Sequence, residues 1–177
     1  LLAAYKDATL SPEDPARTCL GRANGNAGRN TYIALDPDWT LAEARRQTAR
    51  TEASLPLFGI PIALKDCFDL AAFPTSSGSR FYARHLPPAA ADSWVAARLR
   101  QAGAVITGKT HLHQLAFGIT GENRDYGDCL QPANAALLTG GSSSGSAAAV
   151  QEGSALAAIG TDTGGSNCAH IYYTTDG

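Results

Sequence analysis

Residues 59–66 read Gly-Ile-Pro-Ile-Ala-Leu-Lys-Asp, and the reading of this octet decides the fold. Residues 60–64 are an uninterrupted apolar run that ends on one cation, Lys65. A run of that length, preceded by the chain-breaking stretch 56–59, predicts a buried strand that delivers a lysine at its end. Residues 104–107 predict a second buried strand. Between the two, Asp92 is placed to cap a helix from Ser93 to about Gln101. Trp94, Val95, Ala97, Arg98 and Leu99 fall there at helical spacing, and Gly103 ends it. Upstream, Thr40 is placed to cap a helix reaching about residue 51, with Glu43 as its capping-box partner. Arg45, Arg46 and Arg50 on that helix read as a solvated face. Downstream, residues 111–117 read as helical, 147–152 as a helix punctuated by Gly153, 155–159 as a strand and 161–166 as a tight Gly-rich turn. Strands alternating with helices predict an α/β layered sheet. There is no internal repeat.

Composition narrows the function classes. The chain has 177 residues, of which 44% are apolar, enough to bury a core, and 17% are charged. The charged share is below the roughly 25% usual for soluble domains, which favours much buried surface or surface meant for a further segment. A net charge of −2 gives no electrostatic footprint for nucleic acid or an anionic membrane. No apolar run reaches the length of a transmembrane helix, and the start has no signal-peptide layout. The sequence contains no Met, so a true N-terminus upstream is expected. Cys19, Cys67, Cys129 and Cys168 form no C-x-x-C pair and read as free thiols of a reducing cytoplasm. Cys168 and His170 lack the second half of a metal site.

Three features carry chemistry when taken together. A serine hydroxyl is a poor nucleophile near neutral pH and needs a base for its proton and donors for the oxyanion that forms. Lys65 at a buried strand end, the serine cluster after Gly140 and Gly141, and Ser166 after Gly164 and Gly165 supply those needs. In order, the segments are Gly-Ile-Pro-Ile-Ala-Leu-Lys-Asp at 59–66, Gly-Lys-Thr at 108–110, Gly-Gly-Ser-Ser-Ser-Gly-Ser-Ala-Ala-Ala-Val at 140–150, and Gly-Thr-Asp-Thr-Gly-Gly-Ser at 160–166. With these segments in this order, and Ser142 and Ser166 24 positions apart, the chain resembles the amidase-signature family of serine hydrolases from about residue 30 to 166.

The resemblance implies a layered α/β/α sandwich around a mixed, mostly parallel sheet, present here as its N-terminal catalytic part. Residues 1–30, rich in Gly, Pro, Arg and Asn and above all so at 21–30, read as a short helix and an irregular connection; the resemblance implies 31–166 as a partial catalytic core and 167–177 as a divergent tail. It implies hydrolysis of an amide carbon–nitrogen bond through an acyl-enzyme on Ser166, with Ser142 as relay and Lys65 as the neutral base. Lys65 must then titrate below the ordinary lysine value, through burial and hydrogen bonding of its neutral form. Thr163, Gly164, Gly165 and Ser166 are implied as the oxyanion hole, braced by Asp162. A cis peptide is implied between Gly141 and Ser142. Gln114 and Ala116 are implied as acyl-pocket contacts, while Ser143 and Ser144 read as helix-cap or loop-bracing residues. No cofactor or metal is expected. The expected partner is a small amide substrate, with a homodimer as the assembly common among relatives and the cytoplasm as the location.

Three other readings compete. Residues 103–110 match the phosphate-loop pattern G-x-x-x-x-G-K-T letter by letter. A phosphate loop follows a strand and opens a helix, whereas here the middle residues look like the strand itself. A Ser–His hydrolase has no G-x-S-x-G elbow to seat its serine, and His85, His111 and His113 read as surface or loop residues. A non-catalytic remnant is the other alternative, since residues 167–173 depart from the family pattern. The substrate is not written in these motifs.

Overall fold

The computed structural model describes residues 1–50 and 55–162. It opens with helices α1 (Leu2–Lys6) and α2 (Glu13–Gly25), then a 3₁₀ turn at Ala27–Arg29. Strand β1 (Tyr32–Ala34) and helix α3 (Pro37–Thr48) follow. Next come β2 (Pro61–Lys65), α4 (Arg80–His85), α5 (Trp94–Gln101) and β3 (Val105–Thr110). A hairpin of β4 (Leu130–Gln131) and β5 (Asn134–Leu138), helix α6 (Ser144–Glu152) and strand β6 (Ala157–Ile159) complete the described chain.

The main sheet has the order β1-β3-β2-β6. β2 pairs in parallel with β3 and with β6, and β1 pairs antiparallel with β3. The sheet is therefore mixed and mostly parallel, as the sequence reading expects. β2 is wholly buried because it lies between two strands and is covered on both faces. Ile62, Leu64 and Ile106 join Leu70, Phe73 and, from α5, Ala96 in one core cluster. Ala63, on the opposite face by the two-residue strand period, packs on Ala149 of α6 and Ala155. Small side chains there let α6 approach the sheet closely.

Several local expectations shift. The N-cap of α3 is Asp36, whose carboxylate accepts from Trp39 N at 2.9 Å, with Pro37 preset for the first turn. Thr40 lies inside that helix, buried, and donates to Thr107 O at 3.1 Å. Glu43 is not a capping-box partner; it pairs with Arg46 and, at 2.9 Å, with Arg100. Likewise Ser93, not Asp92, caps α5, accepting from Ala96 N at 3.3 Å. Asp92 is occupied with Arg100 Nη1 at 2.7 Å and Ala71 N at 2.9 Å.

The stretch 21–30 is helical as far as Gly25, because Ala16, Cys19, Leu20 and Ala23 form a buried stripe that outweighs the weak propensity of Gly21 and Gly25. Residues 111–117 hold only a 3₁₀ turn, Gln114–Ala116, in which Leu115 and Ala116 are left-handed. α6 begins at Ser144, three residues earlier than expected, and ends as expected at Gly153, which is left-handed at φ 72°. Among the described residues no helix is long and apolar enough to cross a membrane.

Candidate active site

The carboxyl ends of β2 and β6 and the amino end of α6 converge on one amine. In open α/β sheets this carboxyl edge is where ligands bind. Lys65 is the last residue of β2, paired in register with Thr110, while Leu64 pairs with Ile159. Its side chain is 0% exposed. Lys65 Nζ lies 2.7 Å from Ser142 Oγ, 2.9 Å from Ser143 Oγ and 2.6 Å from Thr161 Oγ1. Burial pulls its pKa below the ordinary lysine range, and the nearby Cys67 and Asp162 oppose that shift. The Cys67 thiol is itself pushed up by burial, with Lys65 and the Thr161 hydroxyl opposing.

The glycine–serine segment is shaped by close approach. The Gly141–Ser142 peptide is cis. Gly141 N donates to Ile119 O at 2.8 Å, and a Cβ at Gly141 would meet Gly121 N at 2.8 Å. Ser142 O accepts from His113 N at 3.0 Å, which ties the loop after β3 to the serine. At Gly145 a Cβ would come within 2.3 Å of Thr31 O and 2.4 Å of His111 N, so only glycine lets the first turn of α6 sit against the β1 and β3 ends.

Ser143 occupies the N-cap position of α6, yet its side chain makes no capping bond. Its hydroxyl donates to Thr161 O at 3.1 Å and accepts from Thr161 N at 3.1 Å. It is therefore a loop brace, one of the two roles read from the sequence, and it also contacts the lysine. Ser144 also braces a loop, because its Oγ meets the buried His111 in the segment after β3. His111 Nε2 donates to Gly127 O at 2.9 Å, which leaves Nδ1 to accept from Ser144 Oγ at 2.8 Å. His111 is thus a buried structural residue, not a surface one, and burial lowers its pKa.

Lys109 settles the phosphate-loop reading. Residues 105–110 are strand β3, and Lys109 is fully buried with its Nζ 2.7 Å from Asp66 Oδ1. Asp66 Oδ2 in turn accepts from Ser76 Oγ, from Ser76 N at 3.2 Å and from Gly78 N at 3.4 Å. A lysine spent on a buried carboxylate, inside a strand, cannot cradle phosphate. The pair tethers the loop 74–79 to the end of β2. Asp66 and Thr161 are the functional-site neighbours that sequence reading misses. Asp66 stands next to Lys65 in the strand-end motif, which is the available signal. Thr161 stands in the motif segment 160–166, which is its signal.

Of the other expected site residues, Asp162 is exposed and near enough to Lys65 to favour its charged form. Gln114 Nε2 donates to Asp125 Oδ2 at 3.2 Å, and Ala116 sits in the 3₁₀ turn. Thr163, Gly164, Gly165 and Ser166 lie outside the described residues. Cys19, Cys67 and Cys129 are free thiols, and Cys168 also lies outside. Among the described residues no group of three or more His, Cys, Asp or Glu side chains could hold a metal ion.

The chain is similar to known proteins in sequence and fold. A family model described as Amidase matches residues 15–167. The chain is 43% identical over 160 residues to a glutamyl-tRNA(Gln) amidotransferase subunit from Geobacter sulfurreducens, covering 89% of this chain and 33% of that protein. A crystallised amidase superposes with a TM-score of 0.84 at 36% identity, over 93% of this chain and 38% of that one. The peptide amidase of Stenotrophomonas maltophilia gives 0.82 at 34% identity, over 93% and 35%. The chain spans about a third of the length of the curated relatives it matches.

Proposed function

The chain belongs to the amidase family, and from that premise we propose that it carries the catalytic groups for amide hydrolysis, with Ser166 as nucleophile, Ser142 as relay and Lys65 as base. The observation that carries this reading is the 2.7 Å contact between a fully buried Lys65 amine and Ser142 Oγ. A lysine held below its usual pKa gives up its proton more readily, and only the neutral amine can accept a proton.

Ser166 Oγ attacks the substrate carbonyl carbon. Its proton passes to Ser142, whose own proton passes to Lys65. The tetrahedral oxyanion is held by main-chain N–H donors of the Gly-rich turn 163–166. On collapse the carbon–nitrogen bond breaks, and the proton returns through Ser142 to the leaving nitrogen, so ammonia or an amine departs. Water then attacks the ester by the same route and frees Ser166. The relatives' amidotransferase and amidase names are consistent with a small amide as the group attacked.

The test is turnover of simple amides, read as released ammonia, together with mass-spectrometric mapping of a fluorophosphonate adduct. The adduct is expected on Ser166. Lys65→Met is expected to lower turnover by at least about a hundredfold, the lower end of general-base contributions. Labelling of a different serine, or full activity in Lys65→Met, would overturn the assignment.

A further inference from the structure

Three hydroxyls surround Lys65 Nζ, but they are not equivalent. A neutral amine has two N–H donors and one lone pair, so one of the three oxygens must donate to it. Ser143 is excluded by its own contacts. Its single proton is committed to Thr161 O, a carbonyl that can only accept. Its lone pairs receive Thr161 N–H and one Lys65 N–H. Ser143 is therefore saturated and can only accept from the lysine. The Thr161 hydroxyl has a second neighbour for its proton, the Cys67 sulfur. That leaves Ser142 as the hydroxyl whose proton faces the lone pair.

We propose that Ser143, with Thr161, is a positioning residue: the two hydroxyls take both N–H bonds of neutral Lys65 and so aim its lone pair at Ser142 Oγ. This rests on the reading of Lys65 as the base and assigns what orients it. Ser143 also holds both backbone groups of Thr161, so one side chain fixes the lysine and the strand-end segment that meets it. Among the described residues, the titratable and charged groups that face Lys65 are Cys67, on the turn after β2, and Asp162, after β6, and both favour its charged form.

The chain has only three lysines, Lys6, Lys65 and Lys109. Their side-chain resonances can be followed by NMR through a pH titration in the full chain, with Lys65 assigned by its loss in Lys65→Met. An oxygen that accepts from the amine stabilises the ammonium more than the neutral form, because the charged bond is the stronger. Ser143→Ala and Thr161→Val are therefore each expected to move the Lys65 titration to lower pH, and Thr161→Ser to leave it where it was. Amide turnover at the pH plateau is expected to fall about tenfold in both, in kcat with KM kept, because fewer amines present the lone pair in line.

Thr161→Val keeps the Ser143 clip on the backbone, so it speaks even where Ser143→Ala does not fold. An unmoved Lys65 titration in Thr161→Val, or in a folded Ser143→Ala, overturns the proposal. Full turnover in Lys65→Met instead overturns the base assignment beneath it, and the two failures are told apart because the titration needs no turnover.

Discussion

At the scale of single residues, the chain spends two lysines in opposite ways within one strand pair. Lys65 is buried against neutral hydroxyls, so desolvation outweighs the opposing pull of Cys67 and Asp162 and its charge becomes easier to lose. Lys109 is equally buried but sits 2.7 Å from Asp66. Because Asp66 directly follows Lys65 in sequence, that pair also occupies a carboxylate one residue from the proposed base. Removing one partner of a buried pair leaves an uncompensated charge, at a cost of about 3–5 kcal/mol. Lys109→Met is accordingly expected to lower the unfolding free energy by about that amount in a urea titration. A change under about 1 kcal/mol, the level of an exposed pair, would show that Asp66 is held by its Ser76 and Gly78 contacts alone.

At the scale of elements, each piece of the site is set by what ends a strand or starts a helix. β2 ends on Lys65, α6 starts just after Ser142 and Ser143, and β6 ends shortly before Thr161, so parallel strands and one helix present their chemistry at a common edge. Helix α3 shows why a cap read from sequence falls one turn out. Asp36 and Pro37 form the start, while Thr40 turns inward to β3, where its hydroxyl meets the carbonyl of Thr107. Asp36→Ala is expected to destabilise the chain by about 1 kcal/mol, the usual worth of an N-cap side chain. The same change at Thr40, a buried residue inside the helix, is expected to cost at least as much by stranding a packed polar contact. Thermal melts of the two variants check the ranking.

For the molecule as a whole, burial makes alkaline pH the vulnerable side. Burial holds the pKa of Tyr5 at about 12, of Tyr32 at about 12, of Cys19 at about 11 and of Cys129 at about 12. Their unfolded values are 10.0 for tyrosine and 9.0 for cysteine. Between those limits the folded chain keeps protons that the unfolded chain has released, so stability falls as pH rises. Lys65 runs the other way, since its folded pKa is lowered and raising the pH relieves it, but it is one group against several. The melting temperature, followed by circular dichroism, is expected to drop steadily from about pH 9 to about pH 11. A flat profile would mean that these side chains are not desolvated as described.

The motif residues 59–66 and 140–150, read alone, are enough to place a buried lysine and a Gly-flanked serine cluster in an α/β fold, because strand length, apolar runs and glycine punctuation are local properties of the chain. Which hydroxyls reach the amine, which carboxylate claims Lys109, and that Thr40 turns to Thr107 instead of capping its helix depend on residues tens of positions apart meeting in the fold. Hydrogen bonds and ion pairs are satisfied by whatever folding brings within about 3 Å. Partner choice of that kind is fixed only when the strands have paired in register and the helices have closed over them.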